Sequence, residues 1–159
     1  MKNEIERKFF VKDMPDLSGI EPLHYERCFL KRENGVEERI SKVSDKYVYE
    51  KKAEISELER SREKKEITEE EFNQLKLKAS EAIIRDRYNI SSSPEIAIQI
   101  YHGRFEGLIR AEVEFETEDE ASAFAPPSWM GKEMTGLPIA RDSKLLDLSE
   151  DEFQSYIKQ

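Results

Sequence analysis

The chain is short of the residues that usually punctuate or cross-link a fold. There is one cysteine, Cys28, so no internal disulfide can form. Only six glycines and six prolines are spread over 159 residues, and they leave no linker, repeat or low-complexity tract. No apolar run is long enough to span a membrane, and the opening residues lack the basic-then-apolar form of a signal peptide. A cytoplasmic protein is therefore expected. Apolar residues make up only 37% of the chain. That is lean for a thick two-layer core, yet Phe, Tyr, Ile and Leu suffice for one domain spanning 1–159.

What the chain has in excess is charge. Asp, Glu, Lys and Arg form 38% of it, with a net charge of −9. That sum repels duplex nucleic acid and anionic membrane, while a local basic cluster can still take a small polyanion. So much charge exceeds a solvated coat and suggests a wet interior. Nothing in the sequence fixes an oligomeric state.

The pattern predicts eight strands, at 3–12, 24–32, 36–42, 46–53, 61–67, 82–90, 95–102 and 108–117. Asn34-Gly35 and Ser44-Asp45 supply hairpin turns. Thr68 with Glu71 signals a capped helix to about Ser80, with Phe72, Leu75 and Ala79 on one stripe. Thr117 with Glu120 caps a short helix that ends before Pro126-Pro127. Ser149 with Glu152 caps a terminal helix over 149–158. Strands in hairpin order with few helices between them predict a mostly β (α+β) fold: an antiparallel sheet or closed barrel.

Strand side chains alternate between faces. Glu4, Glu6 and Lys8 share one face, Glu112 and Glu114 another, Arg39 goes with Glu37 and Ser41, and Lys52 with Glu50. Arg62, Lys64 and Glu66 form a further row, as do Arg85 and Arg87. Two readings follow. The rows look at water from an exposed sheet face, or they turn inward around a barrel, the acid-bearing sides of the first and eighth strands facing each other across a channel. Inward carboxylates need partners, because two like charges about 4 Å apart repel by roughly 4 kcal/mol at an effective dielectric near 20. Two such pairs suit a hard divalent cation, and Lys and Arg opposite them suit a phosphate chain.

The segment Glu4-Ile5-Glu6-Arg7-Lys8-Phe9 resembles the N-terminal Glu-x-Glu-x-Lys signature of the CYTH superfamily, or triphosphate tunnel metalloenzymes. Other family features follow in order. Arg39 falls in the basic second strand and Lys52 at the Thr-x-Lys lysine. Arg62 with Glu66 resembles the Arg-x-Glu-x-Glu strand, Arg85-Asp86-Arg87-Tyr88 the Lys-x-Arg-Tyr strand, and Ala111-Glu112-Val113-Glu114-Phe115 the late Glu-x-Glu pair. The stretch from Phe124 to Gly136 is similar to the tail of small bacterial members. The resemblance implies a closed eight-stranded antiparallel tunnel with short flanking helices. It implies Glu4, Glu6, Glu112 and Glu114 as metal ligands for Mg²⁺ or Mn²⁺, and Lys8, Arg39, Lys52, Arg62, Arg85 and Arg87 as phosphate-binding residues. The implied activity is metal-dependent hydrolysis of tripolyphosphate or a small organic triphosphate. The alternatives are class IV-type adenylyl cyclase chemistry or a catalytically weakened polyphosphate- or nucleotide-binding module.

Several positions depart from the family pattern. Phe29 replaces the tyrosine of its Gln-x-Tyr-Leu strand, and Arg85 replaces a lysine. Neither can shuttle a proton, so Arg85 as a catalytic residue would act by stabilising charge. Ser41 stands where a second arginine is frequent, and Lys64 where a glutamate is expected. The seventh strand's acidic pair reads as Ala97 and Gln99, which removes ligands for a second metal and leaves the number of metals, one or two, open. Lys144 is a further candidate for phosphate contact. His24 and His102 read as turn or surface residues and Cys28 as a packed thiol. Trp129 reads as a plug at one tunnel end, and Tyr47 and Tyr49 as outward residues beneath a helix.

Overall fold

The structure, a computed structural model, describes residues 2–158. Its strands are β1 (Lys2–Val11), β2 (Leu23–Glu33), β3 (Val36–Val43), β4 (Lys46–Glu54), β5 (Glu59–Ile67), β6 (Ile83–Ser92), β7 (Glu95–His102) and β8 (Ile109–Phe115). They pair in the order β5-β4-β3-β2-β6-β7-β8-β1, and β1 pairs back onto β5, so eight strands close into a ring. Every pairing is antiparallel. The hairpins follow from their turn residues: Asn34 and Gly35 both take positive φ, 54° and 72°, as a two-residue turn matched to strand twist requires.

The closing seam is short. Lys2–Ile5 pair with Glu59–Arg62, after which β1 leaves β5. A ninth strand, β9 (Met130–Glu133), then runs along the far end of β1. The sequence pattern did not show it, because four residues hold too little alternation. A Cβ at Gly131 would sit 3.3 Å from the Phe10 carbonyl oxygen, tighter than ordinary contact, so glycine eases this close approach.

Three helices carry the expected cap signals. In α1 (Glu69–Lys76) and the C-terminal helix, Thr68–Glu71 and Ser149–Glu152 form reciprocal capping boxes, and in α2 (Glu118–Ala123) Thr117 accepts from the Glu120 amide. Helix α1 seats Phe72 on the outside of the ring among Cys28, Ile40, Ile67, Tyr47 and Tyr49, with the Tyr47 ring 5.1 Å away. Helix α2 covers Phe9, Val113 and Phe115 on the outside of β1 and β8. Arg7 fastens this layer: it makes a forked pair to Glu133 at 2.6 and 2.9 Å and donates to the carbonyls of Ala121 and Phe124.

Trp129 belongs to this outer layer, packed beside Met130 and Val11, and does not plug the tunnel. The plug comes from further along. A 3₁₀ turn at Pro138–Ala140, α3 (Asp142–Leu145) and α4 (Glu150–Ile157) bring Ile139, Leu145 and Phe153 against Phe29, Ile83, Tyr101 and Leu108. Phe29, Ile83 and Tyr101 lie on the inward rows of β2, β6 and β7, and Leu108 just precedes β8, at one end of the ring. Apolar side chains thus fill that end, and charged ones line the rest.

Candidate active site: a charged tunnel

The inward rows enclose a cavity of about 270 Å³. All ten residues expected from the sequence line it: Glu4, Glu6, Lys8, Arg39, Lys52, Arg62, Arg85, Arg87, Glu112 and Glu114. Eleven basic and eight acidic side chains form its wall in total. A chain of net charge −9 therefore encloses a tunnel with an excess of positive charge, which selects an anion.

The acids are placed differently from expectation in one respect. Strands β1 and β8 are neighbours, with Glu6 opposite Glu114 and Lys8 opposite Glu112 in the ladder. Their carboxylates stand side by side on one wall instead of facing each other across the channel, because β1 is the strand that closes the ring. Glu95 of β7 pairs with Glu114 and extends that wall. The seventh strand's inward row is thus Glu95, Ala97 and Gln99, and it keeps one acid.

Electrostatics vary along the wall. Burial pushes the Glu114 carboxyl up, and Glu95, Glu6 and Glu4 push the same way, to about 8. Burial also opposes the charge on Glu4, but Lys52 at 2.5 Å and Arg62 at 2.7 Å outweigh it and hold Glu4 at about 2. Glu112 is held below the usual range by Lys8, Arg87 and Arg110 against burial; Arg87 donates to it at 3.2 Å. Facing this wall, burial lowers Lys52 to about 7, helped by Arg39 and Arg60. Arg39 reaches Glu37 and Glu50 only at 3.5 Å, and its buried Nε has no partner. Arg110 Nε is likewise buried without an acceptor. Guanidinium groups that line a cavity suit phosphate oxygens.

Deeper in the tunnel, Asp142 accepts from Arg27 at 3.0 Å, Arg85 at 3.1 Å, Arg110 at 3.3 Å and the Tyr101 hydroxyl. Arg85 also donates to Gln99 and stacks over Tyr25, 4.3 Å from the ring centre. Phe29 lies in the apolar plug and brings no hydroxyl to Arg85. Lys8 donates to the Ala140 carbonyl at 2.8 Å. Lys64 lines the mouth of the tunnel, whereas Lys144 lies in a separate surface depression with Arg32 and Asp147. His24 and His102 are on the outer surface and share Asp86, at 2.5 and 2.9 Å.

No protein-family model matches the chain. The inorganic triphosphatase of Nitrosomonas europaea is 30% identical to it over 137 residues, 83% of this chain and 89% of that protein. The chain belongs to the triphosphate tunnel metalloenzyme, or CYTH, family. A crystal structure of an inorganic triphosphatase superposes with a TM-score of 0.66 at 26% identity, covering 91% of this chain and 95% of that one. A putative adenylate cyclase from Bacillus halodurans, at TM-score 0.54 and 13% identity over 77% of this chain and 86% of that one, shares the fold alone.

Triphosphate tunnel metalloenzymes depend on a metal. Among the described residues no three His, Cys, Asp or Glu side chains are gathered as a ready cation cage, because Glu4 and Glu112 are turned to basic partners. The donors nonetheless fit a hard divalent ion: they are carboxylate oxygens, and burial with the neighbouring Glu95, Glu6 and Glu4 crowds negative charge around Glu114.

Among the tunnel residues of this family member that sequence reasoning missed are Arg27, Arg60, Glu95, Arg110 and Asp142. Four carry a legible signal. Arg60 and Arg110 each lie two residues from a residue already placed on a charged row, Arg27 lies two before Phe29, and Glu95 two before Ala97. Asp142 carries none, since it opens a four-residue helix outside the ring.

Proposed function

We propose that the tunnel binds inorganic triphosphate and hydrolyses its terminal phosphoanhydride bond with a divalent metal, Mg²⁺ or Mn²⁺, held by Glu4, Glu6, Glu112 and Glu114. The observation that supports this most is the convergence of Arg39, Lys52, Arg62, Arg85 and Arg87 with those four glutamates on one enclosed polar cavity. The relationship to an inorganic triphosphatase over most of both chains supports the same substrate. When bound, the metal would supply Lewis-acid polarisation of a phosphoryl oxygen.

The chain's own residues do the rest. Arg39, Arg62 and Arg87 bind phosphoryl oxygens through forked, charge-assisted hydrogen bonds and oppose the charge that spreads over the transferred group. Arg85, fixed by Asp142 and Gln99, contributes charge without exchanging a proton. Lys52 Nζ, lowered to about 7 by burial and by Arg39 and Arg60, is the amine that can donate a proton to a departing phosphate near neutral pH.

The lining favours an inorganic chain over a nucleotide. A volume of about 270 Å³ lies just below the range of roughly 300–1,000 Å³ typical of small-molecule sites. Tyr25 is the one aromatic in the wall, and Arg85 and Arg27 cover its ring, so a purine has no shelf. The test is phosphate release from tripolyphosphate with Mg²⁺ or Mn²⁺, expected in the wild type and abolished in Glu4→Gln and Glu114→Gln. No release with any divalent metal sinks the proposal, and cyclic AMP formed from ATP would replace it with a cyclase.

A further inference from the structure

The floor of the tunnel holds an anion that the protein supplies itself. Asp142 is only 5% exposed, and three guanidinium groups converge on its carboxylate, from β2 (Arg27), β6 (Arg85) and β8 (Arg110). One negative charge faces three positive ones, and Arg110 keeps an unpartnered Nε beside it. Such a cluster has the chemistry of a phosphoryl site, with the carboxylate standing where a phosphate's oxygens would otherwise go. Beyond it the way is shut, since Tyr101, Leu108, Ile139 and Leu145 pack together without charge. Asp142 reaches this place from outside the ring, on the turn of chain that also carries Ile139 and Leu145.

We propose that Asp142 is a specificity-determining residue that fixes how long a phosphate chain the tunnel accepts. This rests on the triphosphatase reading and names its substrate class: short, linear, unsubstituted polyphosphates with three phosphoryl groups. A fourth group cannot advance to the floor, because Asp142 already occupies the three arginines. Nor can it stay at the mouth without facing Glu95 and Glu6, which lie on the wall there. Both ends therefore reject the longer chain, one by occupation and the other by repulsion.

Binding of tripolyphosphate and tetrapolyphosphate is measured by calorimetry in EDTA, where metal-dependent turnover is off, for the wild type, Asp142→Asn and Asp142→Ala. The wild type is expected to bind the three-phosphate chain about tenfold or more tightly than the longer one, the scale of one charged group left unmatched. Asp142→Ala, which removes both charge and bulk, is expected to bring the two affinities to within about threefold by strengthening the longer chain. Asp142→Asn is expected to fall between them. Equal affinities in the wild type overturn the proposal without any variant, as does an unchanged ratio in a folded Asp142→Ala or Asp142→Asn. A merely structural Asp142 would weaken both chains together and leave the ratio alone. Discrimination by length without phosphate release in Mg²⁺ or Mn²⁺ would sink the triphosphatase reading and leave this one standing.

Discussion

At the mouth of the tunnel Glu114 holds a proton up to about 8, because burial and the charges of Glu95, Glu6 and Glu4 all act against its ionisation. At the floor Asp142 is held well below the usual carboxylate range, because Arg85, Arg110 and Arg27 outweigh the cost of burying it. Two carboxyl groups in one cavity thus sit on opposite sides of neutrality. The total charge of the wall says that an anion binds; its distribution says more. Carboxyl groups crowd one another around Glu114 at one end, and guanidinium groups outnumber their carboxylate at the other. The proposed metal belongs to the first end and the phosphate chain to the space between.

Four measurements break or sharpen that contrast. The largest effect is expected beneath the floor. Phe153→Ala removes a buried ring from the plug and should cost about 3–5 kcal/mol in urea unfolding. A cost below about 1 kcal/mol would mean that the plug does not support the floor. Next comes Lys52→Arg, which keeps the charge and removes the transferable proton. A fall in kcat of about 100-fold, with KM for tripolyphosphate changed far less, is expected if Lys52 donates a proton. Retained kcat would leave Lys52 as a binding residue only.

The third concerns pH at the mouth. The folded value of Glu114, about 8, lies above its ordinary 4.5, so the folded protein keeps a proton that the unfolded chain has released between those limits. Folding stability is therefore lost progressively as pH rises through that window, and the loss is complete above it. Metal-free Glu114→Gln should gain in Tm relative to the wild type as pH goes from about 4.5 to 8. A difference that does not vary with pH would contradict the assigned shift. The smallest effect is a control outside both ends. Thr68→Ala breaks the capping box of α1 and should cost about 1 kcal/mol without altering KM.

Much of this was legible in the sequence for a plain geometric reason. A period of two assigns every strand residue to a face, so Lys52, Arg62 and Glu112 could be set on the charged rows before any pairing was known. The pairing itself was not legible. Parity says which residues point inward but not which strands are neighbours, and so the acids of β1 and β8 were set across the channel when they are adjacent. Arg27 and Arg110 were missed for lack of a distinctive motif, although parity pointed to both. Asp142 and β9 lie in short segments without periodicity, where the contact is made by tertiary packing alone. Trp129 illustrates the same limit: an aromatic after two prolines can close a tunnel or cover its outer wall, and only the path of β9 decides.

The ring's closing seam has a consequence for how the molecule is made. Ile5 is paired with Phe115, more than a hundred residues downstream, and its other neighbour is β5. During vectorial synthesis β1 emerges long before β8 exists, so most of its backbone hydrogen-bonding groups wait for partners until the chain is nearly complete. A ribosome stalled before β8 would carry an open sheet with two unsatisfied borders, β1 and β7, and each would bear a glutamate of the mouth, Glu6 on the one and Glu95 on the other.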